Sequence, residues 1–432
     1  MDPKEYKRYL RILKNEMIPA MGCTEPIAIA YAAAVGKKYF KWDLDRIDAY
    51  CSGNIIKNVK SVTIPNADGM RGLEAAVLVG FCGGDPGKKL EVLSSVTKGS
   101  LDKAKEMLQR KVCVCHLEEN VPGLYIRLEA TGEGHRVCVI LADDHTGIQL
   151  IKRDGEVLFS ALPMTNSRTE GISNEIAGQD TNFMTVRSIL TFAEEARIAD
   201  VKELLDKEIE LNSAISEEGL HGNYGAEVGK TLLAAGSSVE IKACAEAAAG
   251  SDARMNGCVM PVVINSGSGN QGITCSVPVI VYAKELHASQ EKLYRALIIS
   301  NLVSIHQKSY IGKLSAFCGA VSASCGTGAA IAYLNGADYN TIADTIINTL
   351  ANLSGVVCDG AKSSCAAKIA SSVDAAILAY KMSMSGHCFH SGDGIVEGDV
   401  EQTIKNVGYL GKVGMKNTDV TILNMMVNDS AQ

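Results

Sequence analysis

Leu314-Ser-Ala-Phe-Cys-Gly-Ala-Val-Ser-Ala-Ser-Cys-Gly326 carries no charge and consists almost entirely of small residues. Residues this small let helix backbones approach closely, so the stretch belongs inside a tightly packed helical body. From about residue 183 the pattern stays helical almost to the end, broken at His221-Gly222-Asn223, Asn256-Gly257 and Asn335-Gly336. One exception is the strand-like run Val259–Asn265, which leads into a glycine-rich loop, Ser266–Cys275, with a helix expected from Val277. Upstream, residues 4–18 read as an amphipathic helix, and Pro26 opens a second helix near its favoured first position. Ile47–Ser52 and Val59–Ile64 then read as short strands, and Leu73–Phe81 as a helix.

Composition shifts near Gly83-Gly84-Asp85-Pro86-Gly87. Beyond it, a helix over Leu101–Arg110 precedes alternating runs at Val112–Leu117, Tyr125–Ala130, Arg136–Leu141 and Ile148–Ile151. Turn signals at Asn120–Gly123, Gly132–Gly134 and Arg153–Gly155 make these an antiparallel meander. The expected fold class is α+β. A mainly helical domain is expected from 1–85 and 183–432, and a small α+β insertion from 86–182.

With 432 residues, 47% hydrophobic and 21% charged, the chain has globular composition. Aromatics are 5% and the net charge is −7, which disfavours nucleic acid or an anionic membrane as partner. No apolar run reaches transmembrane length and the N-terminus lacks a secretory layout, so no membrane association is expected. Fourteen cysteines under these conditions point to a reducing, cytoplasmic location. Helices rich in small residues and a high apolar content make a homo-oligomer the expected state.

Four cysteines stand in unusual surroundings: Cys23, Cys275, Cys318 and Cys325. Cys23 lies just before a helix N-terminus, where unpaired N–H groups and the helix dipole favour a thiolate. Three thiolates from distant segments can hold a metal centre with one position left for substrate. On one helix, Cys318 and Cys325 would share a face but stand roughly 10 Å apart along the axis, so a break near Gly319 or Gly326 is expected. On spacing alone a heptad-spaced pair of small core residues is the commoner reading. Cys358 and Cys365, also seven apart, read as packing at the start of a long helix rather than as reserve ligands. The loop before Cys275 and the second Ser-Gly-Asn at 52–54 offer Ser268, Asn270, Ser52 and Asn54 as contacts for a small substrate. Arg254 offers a guanidinium for a carboxylate, but a surface ion pair is the commoner reading.

Met-Gly-Cys-Thr-Glu-Pro (21–26), Ser-Gly-Ser-Gly-Asn-Gln-Gly-Ile-Thr-Cys (266–275), the opening stretch and Cys-Asp-Gly-Ala-Lys-Ser-Ser-Cys-Ala (358–366) together resemble the L-cysteine desulfidase family. The resemblance covers nearly the whole chain. A more distant one, over about 255–370, is to the α-chain of iron–sulfur L-serine dehydratases. The resemblance implies pyridoxal-independent β-elimination from a small amino acid on a [4Fe–4S] cluster, with the helical domain as the catalytic one. It implies Cys275, Cys318 and Cys325 as cluster ligands and Cys23 as catalytic base. Iron–sulfur serine dehydratases typically close the resting cluster with a cysteine near the chain end. This chain ends Asn428-Asp-Ser-Ala-Gln432, which favours the desulfidase branch. L-serine deamination on the same cluster, a zinc-dependent lyase on the same thiols and a non-catalytic thiol or iron–sulfur redox sensor are the alternatives.

Overall fold

The structure is a computed structural model that describes residues 1–161 and 181–428. The expected terminus without a cysteine lies outside the described residues beyond 428. The chain is α+β with a helical bulk, and it divides into two compact units.

The first unit comprises residues 1–20, 181–358 and 362–418. Its centre is three helices, Gly269–Glu285, Gln290–Ile311 and Gly319–Leu334, buried along nearly their whole length. Buried polar residues in them, such as Asn301 and Ser304, bond to neighbouring segments, so no face is left for water. Val239–Met255, Ile198–His221, Tyr339–Leu353 and Cys365–Met384 form much of the surrounding layer. Small residues make the packing possible. A Cβ on Gly326 would lie 2.1 Å from the Ser300 carbonyl oxygen, so the two central helices meet backbone to backbone there. The expected helix Pro3–Glu16 is present, and a short strand, Pro261–Val263, precedes the helix of Cys275.

The second unit begins at residue 21 and includes 359–361 and the segment after 418. Its six-stranded sheet runs in the order Cys113–Leu117, Arg46–Cys51, Tyr125–Gly132, His135–Ala142, Ile148–Arg153 and Glu156–Ser160. The meander is antiparallel as expected, but Arg46–Cys51 sits inside the sheet, parallel to Cys113–Leu117. Residues 21–85 therefore group with the sheet, and the division differs from the expected boundaries at 85 and 182. Buried Ile126, Leu128 and Ala130 alternate with Arg127 and Glu129, which pair at 2.5 Å. Thr24–Tyr39 and Leu73–Gly83 pack on each other, and each also packs against strands of the sheet.

Val59–Ile64 is not a strand. Ser52 accepts the Ile55 N–H at 3.4 Å and caps a helix over Gly53–Val59, which absorbs the start of that run.

Candidate functional site

Cys275 is not preceded by a loop, as expected, but lies inside the helix Gly269–Glu285, whose first turns are the glycine-rich segment itself. Its thiol is fully buried, 4.0 Å from the Ala323 carbonyl, and burial pushes its pKa up, with Ser304 and Ser300 opposing. Cys325 is also fully buried in a helix interior, and burial pushes its thiol up to about 12, with Gln307 opposing.

Cys318 differs. It is the N-cap of Gly319–Leu334 in an extended conformation, so the helix starts at Gly319 and runs unbroken through Gly326. Its N–H donates to the Val356 carbonyl at 3.1 Å, and the Cys358 N–H donates to the Ala316 carbonyl at 2.6 Å. Phe317 and Val357 thus form an antiparallel bridge. In such a bridge Cys318 and Cys358 are diagonal neighbours on one face, within reach of each other's side chains.

Cys365 opens the helix Cys365–Met384. One turn on, Lys368 donates its ammonium to the Val357 carbonyl at 2.7 Å and so ties this helix start to the bridge. Three thiols of the helical unit therefore gather: Cys318 and Cys365 at the N-termini of two helices that pack on each other, and Cys358 on the bridge beside Cys318. Burial first, then the Cys358 and Cys365 thiols, pushes Cys318 up to about 12, while the Ala320 N–H and Lys368 oppose. Burial likewise raises Cys365, against the Lys362 backbone and ammonium. All three are half-buried, where Cys275 and Cys325 are sealed.

Among the described residues, no group of three or more His, Cys, Asp or Glu closes around a point that a metal ion would occupy. A four-iron cube is wider than one ion and holds its cysteine sulfurs farther apart. Cys318, Cys358 and Cys365 fit such a group by ligand type, grouping and access; Cys275 and Cys325 do not. Cys358 and Cys365, which spacing reads as helix packing, stand here in the surroundings of Cys318. Asp359-Gly360 and the serines at 363–364 are turn and cap residues, so the helix starts only at 365 and Cys358 lies outside it.

In the other unit, Cys23 is the N-cap of Thr24–Tyr39, as its sequence predicts. Glu25, in the first turn, accepts the Asn58 amide at 3.0 Å and the Thr24 hydroxyl at 3.1 Å. Ser52 spends its hydroxyl on the Gly123 carbonyl at 2.6 Å and on its helix cap, which makes it structural. Asn54, two residues on, keeps a buried side-chain oxygen without a partner. In the helical unit, Ser268 is the N-cap of Gly269–Glu285, and Asn270 accepts from Arg254 at 3.1 Å. Arg254 is 4% exposed, so the surface ion pair expected for it is not what forms.

The serine dehydratase α-chain family model matches residues 87–424. Proteins of the UPF0597 group match along the chain. One from Desulfitobacterium hafniense is 51% identical over 98% of this chain and 97% of its own length. One from Lachnoclostridium phytofermentans is 49% identical over 98% of this chain and its full length. One from Treponema denticola is 44% identical over 99% of this chain and its full length. The chain belongs to the serine dehydratase α-chain family, and its type is that of a lyase related to the iron–sulfur serine dehydratases. No described helix is long and apolar enough to cross a membrane.

Proposed function

We propose that this protein is a pyridoxal-independent lyase that converts L-cysteine and water to pyruvate, ammonia and hydrogen sulfide. L-serine, losing water in place of sulfide, is the alternative substrate. The observation that carries the reading is the gathering of Cys318, Cys358 and Cys365 at two helix starts. We assign these three as the ligands of a [4Fe–4S] cluster, in place of the set that paired Cys318 with Cys275 and Cys325. When bound, such a cluster supplies a Lewis-acidic iron without a protein ligand, suited to a thiol or hydroxyl leaving group.

The chain's own residues supply the rest. Backbone N–H groups at the two helix starts and the Lys368 ammonium oppose the burial that raises Cys318 and Cys365. Cys23, also at a helix N-terminus, is proposed as the thiolate that takes the α-proton. Loss of that proton and of the β-substituent gives aminoacrylate; tautomerisation and hydrolysis then release pyruvate and ammonium. Protein purified anaerobically and reconstituted with iron and sulfide should be brown and release pyruvate and sulfide from L-cysteine. A colourless protein, inactive on both L-cysteine and L-serine, contradicts the proposal.

A further inference from the structure

Arg254 lies one residue before the end of the helix Val239–Met255. Among the described residues its side chain bonds only to Asn270 Oδ1, and its buried Nε has no hydrogen-bond partner. No described carboxylate forms an ion pair with it. A buried guanidinium without a counter-charge is costly, and an arriving carboxylate removes that cost.

The surroundings point the same way. Arg254 abuts the first residue of Gly269–Glu285: a Cβ on Gly269 would lie 2.3 Å from Nε and 2.7 Å from Cζ. Any larger residue at 269 would displace the guanidinium. Ser268 makes no side-chain cap bond, so the first-turn N–H groups remain open to an anion. Positive helix end and guanidinium thus share one spot.

Two links join that spot to the thiols. A Cβ on Gly319, next to Cys318, would lie 2.6 Å from Gln271 Cδ, and the buried Gln271 Oε1 has no partner either. Ser363, two residues before Cys365, donates to Asn256 Oδ1 at 2.7 Å, and Asn256 is two residues beyond Arg254.

We propose that Arg254 and the N–H groups of Gly269, Asn270 and Gln271 bind the α-carboxylate of the substrate, making the site selective for α-amino acids over the corresponding amines. This rests on the lyase reading for the identity of the ligand. A bidentate guanidinium–carboxylate pair gives both the affinity and the orientation. The unpartnered Gln271 oxygen is an acceptor suited to the substrate ammonium.

Calorimetry on the reconstituted protein with L-alanine, which has no β-leaving group, and with ethylamine tests binding apart from turnover. The wild type should bind L-alanine and not ethylamine. Arg254→Gln should weaken L-alanine binding about 100-fold, and Arg254→Lys less, since a charge remains but the fork is lost. Iron content and unfolding temperature should stay at wild-type values, and the KM for L-cysteine should rise more than kcat falls. Asn270→Asp, which places a carboxylate on the guanidinium without removing it, should block L-alanine in the same way. Unchanged L-alanine affinity in Arg254→Gln and Asn270→Asp, or equal wild-type affinity for L-alanine and ethylamine, overturns the proposal. Selective L-alanine binding without turnover of L-cysteine or L-serine would sink the lyase reading and leave the carboxylate site standing.

Discussion

Cys318, Cys358 and Cys365 share the helical unit with Cys275 and Cys325, yet the two sets live in opposite surroundings. Of the first three, Cys318 and Cys365 stand where helices begin and Cys358 stands on the bridge beside Cys318; all are half-buried, with Lys368 nearby. The other two stand in helix interiors, fully buried, with serine hydroxyls, a glutamine amide and a carbonyl for company. Burial raises the thiols of both sets, but only at Cys318 and Cys365 do backbone N–H groups and lysine ammonium groups oppose it. Surroundings, more than residue type, separate the proposed ligands from the buried thiols.

The strongest challenge to this contrast is to remove one ligand at a time. Cys318→Ser, Cys358→Ser and Cys365→Ser should each lose the absorbance near 400 nm, most of the iron and essentially all turnover, while keeping the wild-type circular dichroism. Retention of full iron by Cys358→Ser and Cys365→Ser would erase the contrast. Next in size is Cys23→Ala: activity should fall about 10²- to 10⁴-fold with iron retained, since loss of a proton-transferring group costs that much. Iron loss in that variant would make Cys23 a ligand instead of a base.

A smaller effect sharpens the buried side. Glu208, fully buried near Cys275 and bonded to Asn301, has its carboxyl pushed up to about 8, first by burial. The folded state therefore holds a proton that the unfolded state releases near pH 4.5. Its contribution is complete below that pH and is lost as pH rises towards 8, by up to about 1.4 kcal/mol per unit. Urea titrations from pH 5 to 8 should show this decline in wild type and a flatter profile in Glu208→Gln. Identical profiles would mean that the interior around Cys275 is wet, not dry. Smallest of all, Cys275→Ser and Cys325→Ser should cost about 1–3 kcal/mol in stability, the penalty of a poorly satisfied buried hydroxyl, and leave iron content untouched.

Much of the scaffold was legible. Residues 314–326 announced a body of closely packed helices, and Gly326 against Ser300 shows why they must be small. Arg153-Asp-Gly155 marked a turn, and Asp154 and Gly155 do take positive φ there. The strand after it, Glu156–Ser160, was missed, being short and at the sheet's edge. The pairing of Arg46–Cys51 with Cys113–Leu117 joins segments more than 60 residues apart, and no local pattern encodes that. Among the candidate residues, Cys23 before a helix and Cys318 beside Gly319 could be read directly. The partnership of Cys318 with Cys358 depends on a bridge between two loops, which spacing cannot reveal. Arg254 failed for a related reason: its burial comes from packing beside Gly269, not from its own neighbours in sequence.

Most direct is a single comparison of iron content and L-cysteine turnover in anaerobically reconstituted wild type, a Cys358→Ser/Cys365→Ser double variant and a Cys275→Ser/Cys325→Ser double variant. The account predicts an iron-loaded, pyruvate-forming wild type, a colourless and inactive first variant, and a second variant that keeps its iron and its activity. Iron kept by the first and lost by the second would contradict it.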